Sequence, residues 1–186
     1  MFMFKSLRGP ALAICAALAA MASSNVYAQA TETGTANANA TIAKPITIVS
    51  TDDLDFGVIV PNGTGNGSLD VTISTAGARS IAGDVDGALL GGTIGAAGFK
   101  VTGRPNATYA ITLPPGAATI TAATSAATMS VDTFTESTGS TSGTLVVGGT
   151  PGLGEHTFTV GATLTVGETQ ADDTYTGTFD VIATYN

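Results

Sequence analysis

The chain has 186 residues, a net charge of −8, one cysteine, one histidine and no tryptophan. An acidic surface repels phosphate backbones, which argues against nucleic acid as a partner. A lone histidine and a lone cysteine are too few for a zinc site unless carboxylates complete it, and tryptophan platforms for sugar stacking are absent.

The first stretch reads as a targeting segment. Lys5 and Arg8 precede the apolar run Ala11–Met21, and Val26-Tyr27-Ala28 is a small-x-small cleavage site. Residues 1–28 are therefore expected to be a secretory signal peptide, cut after Ala28 or, at a second site, after Ala30. The run falls short of the roughly 20 apolar residues of a membrane-spanning helix, and no later stretch is apolar enough to span a bilayer. Leu12-Ala13-Ile14-Cys15 fails as a lipoprotein site, which needs a small residue where Ile14 stands, so Cys15 leaves with the signal. Removing 28 residues from 186 leaves 158, with four positive side chains against fourteen negative, a net charge of −10. The expected location is periplasm, cell surface or extracellular space, and the expected protein is a single domain held by its core and sheet pairing, not by disulfides.

Residues 29–41 form a polar lead-in, in which Thr31–Thr41 is a weak strand or a mobile segment; residues 42–186 form the domain. Ile46 and Ile48 share one face of a strand over 42–49 that Pro45 confines to an edge or a bulge. Leu54, Phe56, Val58 and Val60 alternate, and so do Leu69, Val71 and Ile73; the glycine-rich Pro61–Ser68 between them predicts a long hairpin loop. Ala76–Ala97 carries no clear pattern. Phe99 and Val101 begin the next strand, and Tyr109, Ile111 and Leu113 follow until Pro114-Pro115-Gly116 stops the run. Ala117–Ala127 has no 3.6-residue stripe and reads as strand and loop. Met129, Val131 and Phe134 make another strand. Phe158, Val160, Ala162, Leu164 and Val166 face away from Thr157, Thr159, Gly161, Thr163 and Thr165. In the last stretch, Thr174–Asn186, Tyr175, Gly177, Phe179, Val181, Ala183 and Tyr185 share one face.

Nine or ten short strands without an amphipathic helix predict an all-β, antiparallel β-sandwich of immunoglobulin-like or jelly-roll type. The expected core is Phe56, Val58, Val71, Phe99, Val101, Tyr109, Ile111, Phe158, Val160, Leu164, Phe179 and Val181.

Several segments resemble the bacterial domain-of-unknown-function family 4402. These are Lys44–Ile48, Asp53–Gly57 with Val60-Pro61, Phe99–Gly103, Pro105–Pro114, Met129–Thr135 and Thr174–Asn186, covering the chain from roughly Ala36 to its end. The resemblance implies an exported all-β protein with no agreed activity and no catalytic residues to carry over. The chain is similar in a looser way to chaperone–usher fimbrial subunits, which also end in an alternating strand with a penultimate Tyr, here Tyr185. It departs from them in having Asp172-Asp173 near the position where they often carry a glycine, and in lacking the disulfide common among them.

No residue set suggests catalysis, a cofactor or a metal. His156 lies at the rim of a strand. Gly139-Ser140-Thr141-Ser142-Gly143 has the glycine spacing of a nucleophile elbow but a Thr at its centre and no strand-to-helix context. Asp84-Val85-Asp86-Gly87 starts like a calcium loop, yet Gly95 stands where an EF-hand needs Glu. Asp52, Asp53 and Asp55, or Asp172 and Asp173, could offer oxygens to Ca²⁺, but turn aspartates more often cap backbone N–H groups. Asn62 and Asn106 stand in N-x-Thr sequons. The expected function is a non-enzymatic structural protein of the cell envelope, most concretely a fimbria-like subunit, whose partners are copies of itself or other envelope proteins joined by strand addition with Ala36–Ile42 as donor. The alternative is a surface module for glycan or Ca²⁺.

Overall fold

The computed structural model describes residues 31–61, 63, 67–83 and 87–186. The signal peptide, Cys15, Asn62 and the Asp84–Asp86 part of the calcium-loop reading lie outside the described residues. The chain divides into two units, Met1–Ala40 and Thr41–Asn186. In the first, the described residues 31–40 are exposed and form no strand.

The second unit is all-β. Its strands in chain order are β1 (Thr47–Asp52), β2 (Asp55–Phe56), β3 (Ile59–Val60), β4 (Leu69–Ile73), β5 (Arg79–Gly83), β6 (Ala88–Leu89), β7 (Ile94–Gly95) and β8 (Ala97–Gly103). They continue as β9 (Thr108–Thr112), β10 (Ala118–Ala122), β11 (Thr128–Glu136), β12 (Ser142–Thr144), β13 (Val146–Val147), β14 (Gly154–Val166), β15 (Tyr175–Thr176) and β16 (Ile182–Tyr185). Every pairing is antiparallel. Among the described residues no helix is long and apolar enough to cross a membrane.

The long strand β14 organises the main sheet, whose order is β1-β8-β14-β11-β10-β15. Its alternation is the one read from the sequence: Phe158, Val160, Leu164 and Val166 are buried, and the threonines between them face outward. Along one side β14 pairs first with β8, from Gly154↔Gly103 to Val160↔Ala97, and then with β4, from Ala162↔Ile73 to Val166↔Leu69. The change of partner falls at Gly161. A Cβ there would press on the Ile73 carbonyl oxygen, so only glycine admits the incoming backbone. A second, three-stranded sheet, β12-β9-β16, covers β8 and the first half of β14. Between these layers Phe99, Val101, Tyr109, Ile111, Leu145, Phe158 and Val160 form one core cluster. The second half of β14 shares another cluster with β4 and β11, built on Leu69, Val71, Val131, Leu164 and Val166. Two packed layers around these clusters make the expected antiparallel sandwich.

Eight of the twelve predicted core residues are buried. Phe56, Phe179 and Val181 are partly buried against the core. Val58 is corrected: it is 50% exposed. Gly57 adopts φ +74°, which inserts a left-handed residue between β2 and β3 and flips the alternation, so Ile59 takes the inward place instead. The hairpin predicted across Pro61–Ser68 is also corrected. β4 turns back on β5 through Ser74–Ala78, while β2 and β3 pair with β7 and β6. The unpatterned stretch 76–97 thus supplies three strands among the described residues. Strand β1 begins at Thr47, past Pro45, and is both an edge strand and irregular between Ser50 and Asp52.

The last stretch is split. Tyr175 and Thr176 pair with Ala122 and Thr121, and Ile182–Tyr185 pair with Thr112–Tyr109. Between these ladders the partner chain carries three extra residues, where Pro114-Pro115-Gly116 turns away and two N–H donors are missing. Odd-numbered residues from Tyr175 to Tyr185 still face inward, apart from Gly177.

Candidate functional site

Among the described residues lies a cleft of about 1070 Å³. One wall is the chain around Ser50–Pro61, the other is Gln170–Phe179. The floor is apolar: Phe99, Ile120, Met129, Val131, Leu164 and Val166. Phe99, Val131, Leu164 and Val166 are each at most 9% exposed, packed against neighbouring apolar side chains, while Ile120 and Met129 are partly exposed.

Both walls are sheet edges. β1 and β15 are the two ends of the main sheet, and residues of each line this one cleft, which requires the sheet to curl until its ends confront each other. β2 and β3 continue the first wall and pair only with β7 and β6. β15 and β16 pair on one side only, and Gly177–Val181 between them joins no ladder. Among the described residues, each wall of the cleft therefore includes backbone that joins no further ladder.

Polar contacts hold the walls in place. The Tyr185 hydroxyl accepts from the Arg104 N–H at 2.7 Å and donates to the Lys44 carbonyl at 3.0 Å, tying the end of the last strand to the chain entering β1. Arg79 pins the first wall from behind: its Nη1 donates to the Phe56 carbonyl at 2.8 Å, and its Nη2 donates to that of Leu90. Asp173 anchors the second wall. Its carboxylate accepts from the Thr124 hydroxyl at 2.6 Å and from the N–H groups of Thr124, Ser125 and Thr174 at 2.8–2.9 Å. Those bonds, the Thr124 hydroxyl first, hold its pKa well below the usual carboxylate range. Asp173 is thus a capping aspartate.

The structure brings the two aspartate groups singled out in the sequence to one place: Asp52, Asp53, Asp55, Asp172 and Asp173 all line this cleft. Among the described residues there is no group of three or more His, Cys, Asp or Glu side chains set to hold a metal ion.

His156 lies elsewhere. With Ser140, Ser142 and Thr157 it lines a shallow hollow of about 630 Å³ rich in hydroxyls. Its Nδ1 is 2.7 Å from the Tyr109 hydroxyl. Burial, and then the Glu136 charge, push the Tyr109 phenol up to about 12. Burial works to raise Glu136 too, but bonds from Thr138, Thr141 and Ser140 outweigh it and lower its pKa. The glycine-spaced loop wraps this carboxylate, with the Thr141 N–H donating to Glu136 at 2.9 Å. Among the described residues no Ser or Thr hydroxyl is hydrogen-bonded to His156. Asn106 sits in a turn at φ 60°.

A family model described as "Domain of unknown function (DUF4402)" matches residues 46–185. The chain belongs to the DUF4402 family. No curated protein and no solved structure matches it. The DUF4402 match takes in both walls and the whole floor of the cleft. Sequence patterning marked both walls as strands but gave no sign that they lie side by side without pairing, because alternation reports a buried face and is silent about the edge.

Proposed function

We propose that this DUF4402 protein is an exported, non-enzymatic structural protein of the cell envelope, most concretely a fimbria-like subunit that joins its neighbours by strand addition. The observation that carries this reading is the pair of unpaired sheet edges flanking one apolar-floored cleft. Exposed edges invite another chain to pair, and natural folds usually cover or close them. Here a single inserted strand would pair with both edges and complete the curl. The signal-peptide pattern of residues 1–28 supports export.

The test is assembly of the purified, exported chain, followed by light scattering and electron microscopy, with and without Gln29–Thr41. High-mass assemblies that vanish on deletion are expected. A stable monomer in both cases refutes the subunit reading.

The hydroxyl-lined hollow beside His156 favours a second reading, a surface module for glycans. A glycan array and calorimetry decide it, and absence of binding at millimolar ligand removes it.

A further inference from the structure

The cleft has a size, a floor and a charge, and each limits what can fill it. Asp172–Phe179 is eight residues long, about 26 Å of extended chain at ~3.3 Å per residue. An occupant must be a strand of similar length. Four of the six floor residues are buried, so the floor leaves little room for large side chains; small ones fit. Five aspartates line the cleft, so a further acidic strand is disfavoured.

Within this chain, Gly34–Ile42 meets all three conditions. Nine residues extend to about 30 Å. Ala36, Ala38, Ala40 and Ile42 share one face, with three methyl side chains for this floor. The segment carries no charge, and its opposite face offers the amide donors of Asn37 and Asn39 toward an aspartate-lined rim. It is exposed along its whole length and in no ladder, so its backbone groups are free to pair. The chain leading out of it, at Lys44, is tied to Tyr185.

We infer that residues Gly34–Ile42 of a second copy of this chain fill the cleft between Ser50–Pro61 and Gln170–Phe179, pairing with both edges. The inference rests on the proposed subunit role and names the partner of that site. Insertion of a neutral, small-residue strand makes the donor of each copy the missing strand of the next, a head-to-tail contact that continues into a filament.

Two measurements test it. A synthetic peptide of residues 34–42 is titrated into the full chain carrying Ala38→Asp and Ala40→Asp, whose own donor is disabled, and followed by backbone amide NMR. Saturable shifts confined to Ser50–Pro61 and Gln170–Phe179 are expected, with slowed hydrogen exchange in Gly177–Val181. Ala38→Asp with Ala40→Asp, lying in an exposed segment outside the core, leaves the fold intact and is expected to lower the assembled fraction of the full chain about ten-fold or more, since two carboxylates would enter an apolar cleft. If the wild-type chain assembles but neither the peptide nor the double substitution has these effects, the donor assignment is overturned while the subunit reading stands. If the wild-type chain never assembles, both fall.

Discussion

Leu145 and Leu164 are both buried leucines, and the cleft should separate the cost of removing them. Leu145 is fully buried between the two sheets, inside a closed cluster with Tyr109 and Phe158. Leu164 is 2% exposed, on the floor of the open cleft. Truncating either to Ala removes roughly three methylene equivalents, about 2.4 kcal/mol at ~0.8 kcal/mol each. At Leu145 a cavity remains in a close-packed interior, adding ~24 cal/mol per Å³ of residual volume and bringing the loss to about 3–5 kcal/mol. At Leu164 the void opens into the cleft and fills with solvent, so the loss stays near the transfer value of ~2.4 kcal/mol. With a urea dependence of about 2 kcal/mol per M, the midpoint should fall by ~1.5–2.5 M for Leu145→Ala and by ~1.2 M for Leu164→Ala. Equilibrium urea unfolding of both variants, followed by far-ultraviolet circular dichroism, measures this. Equal losses, or a larger loss at Leu164, would refute the claim that the cleft is open above this floor.

Gly161→Ala should destabilise the fold by more than the ordinary strand preference for Ala suggests, because its Cβ would press on the Ile73 carbonyl; thermal denaturation against Gly116→Ala, where nothing lies within 4 Å, provides the control. Arg79→Met frees the backs of β2 and β3, so amide exchange at Val58 and Leu90 should quicken while that of β14 stays unchanged. Tyr109 has a folded pKa raised above its unfolded value near 10, so it contributes stability that is complete below about pH 10 and lost as pH rises through about 12. Tyr109→Phe should flatten that alkaline decline, read as unfolding midpoints from pH 9 to 12. Asp173 has a lowered folded pKa, so its contribution is present above about pH 4 and disappears as pH falls. Asp173→Asn should leave the acid limb of the stability profile flatter than that of the wild type.

Much of the sandwich was readable because its strands bury one face. The alternation of Phe158 to Val166 located β14 and its inward side, and the odd positions of the last stretch kept their inward face across a broken ladder. What patterning could not supply is pairing. Two alternating runs on either side of a glycine-rich loop look the same whether they pair or not, and here β4 turns back on β5 through Gly77, at φ +77°. Period-two reading also assumes an uninterrupted extended backbone, and a single left-handed glycine at 57 was enough to turn Val58 outward. The cleft escaped notice for a related reason: its floor residues carry ordinary core patterning, and its walls are defined by hydrogen bonds that are not made.

The acidic residues acquire a common rationale from their placement. A sheet whose two ends face each other is exposed to edge pairing by any available strand, and charged residues at the edge are one of the ways folds resist this. Asp52, Asp53 and Asp55 stand on one wall and Asp172 and Asp173 on the other, while Asp173 also caps the turn at Thr124-Ser125 between β10 and β11. Like charges repel, so a strand such as Phe179–Tyr185, which carries Asp180, is a poor guest. A neutral segment is not rejected. Under the proposed strand exchange, the same surface would act as a filter, open to Gly34–Ile42 and closed to acidic strands. Because that discrimination is electrostatic and solvent-exposed, it should weaken with salt. A peptide of residues 34–42 with Asn37 and Asn39 replaced by Asp should bind the chain less well than the native peptide at 20 mM NaCl, and the gap should narrow by 500 mM. A gap that does not respond to salt would assign the discrimination to shape instead of charge.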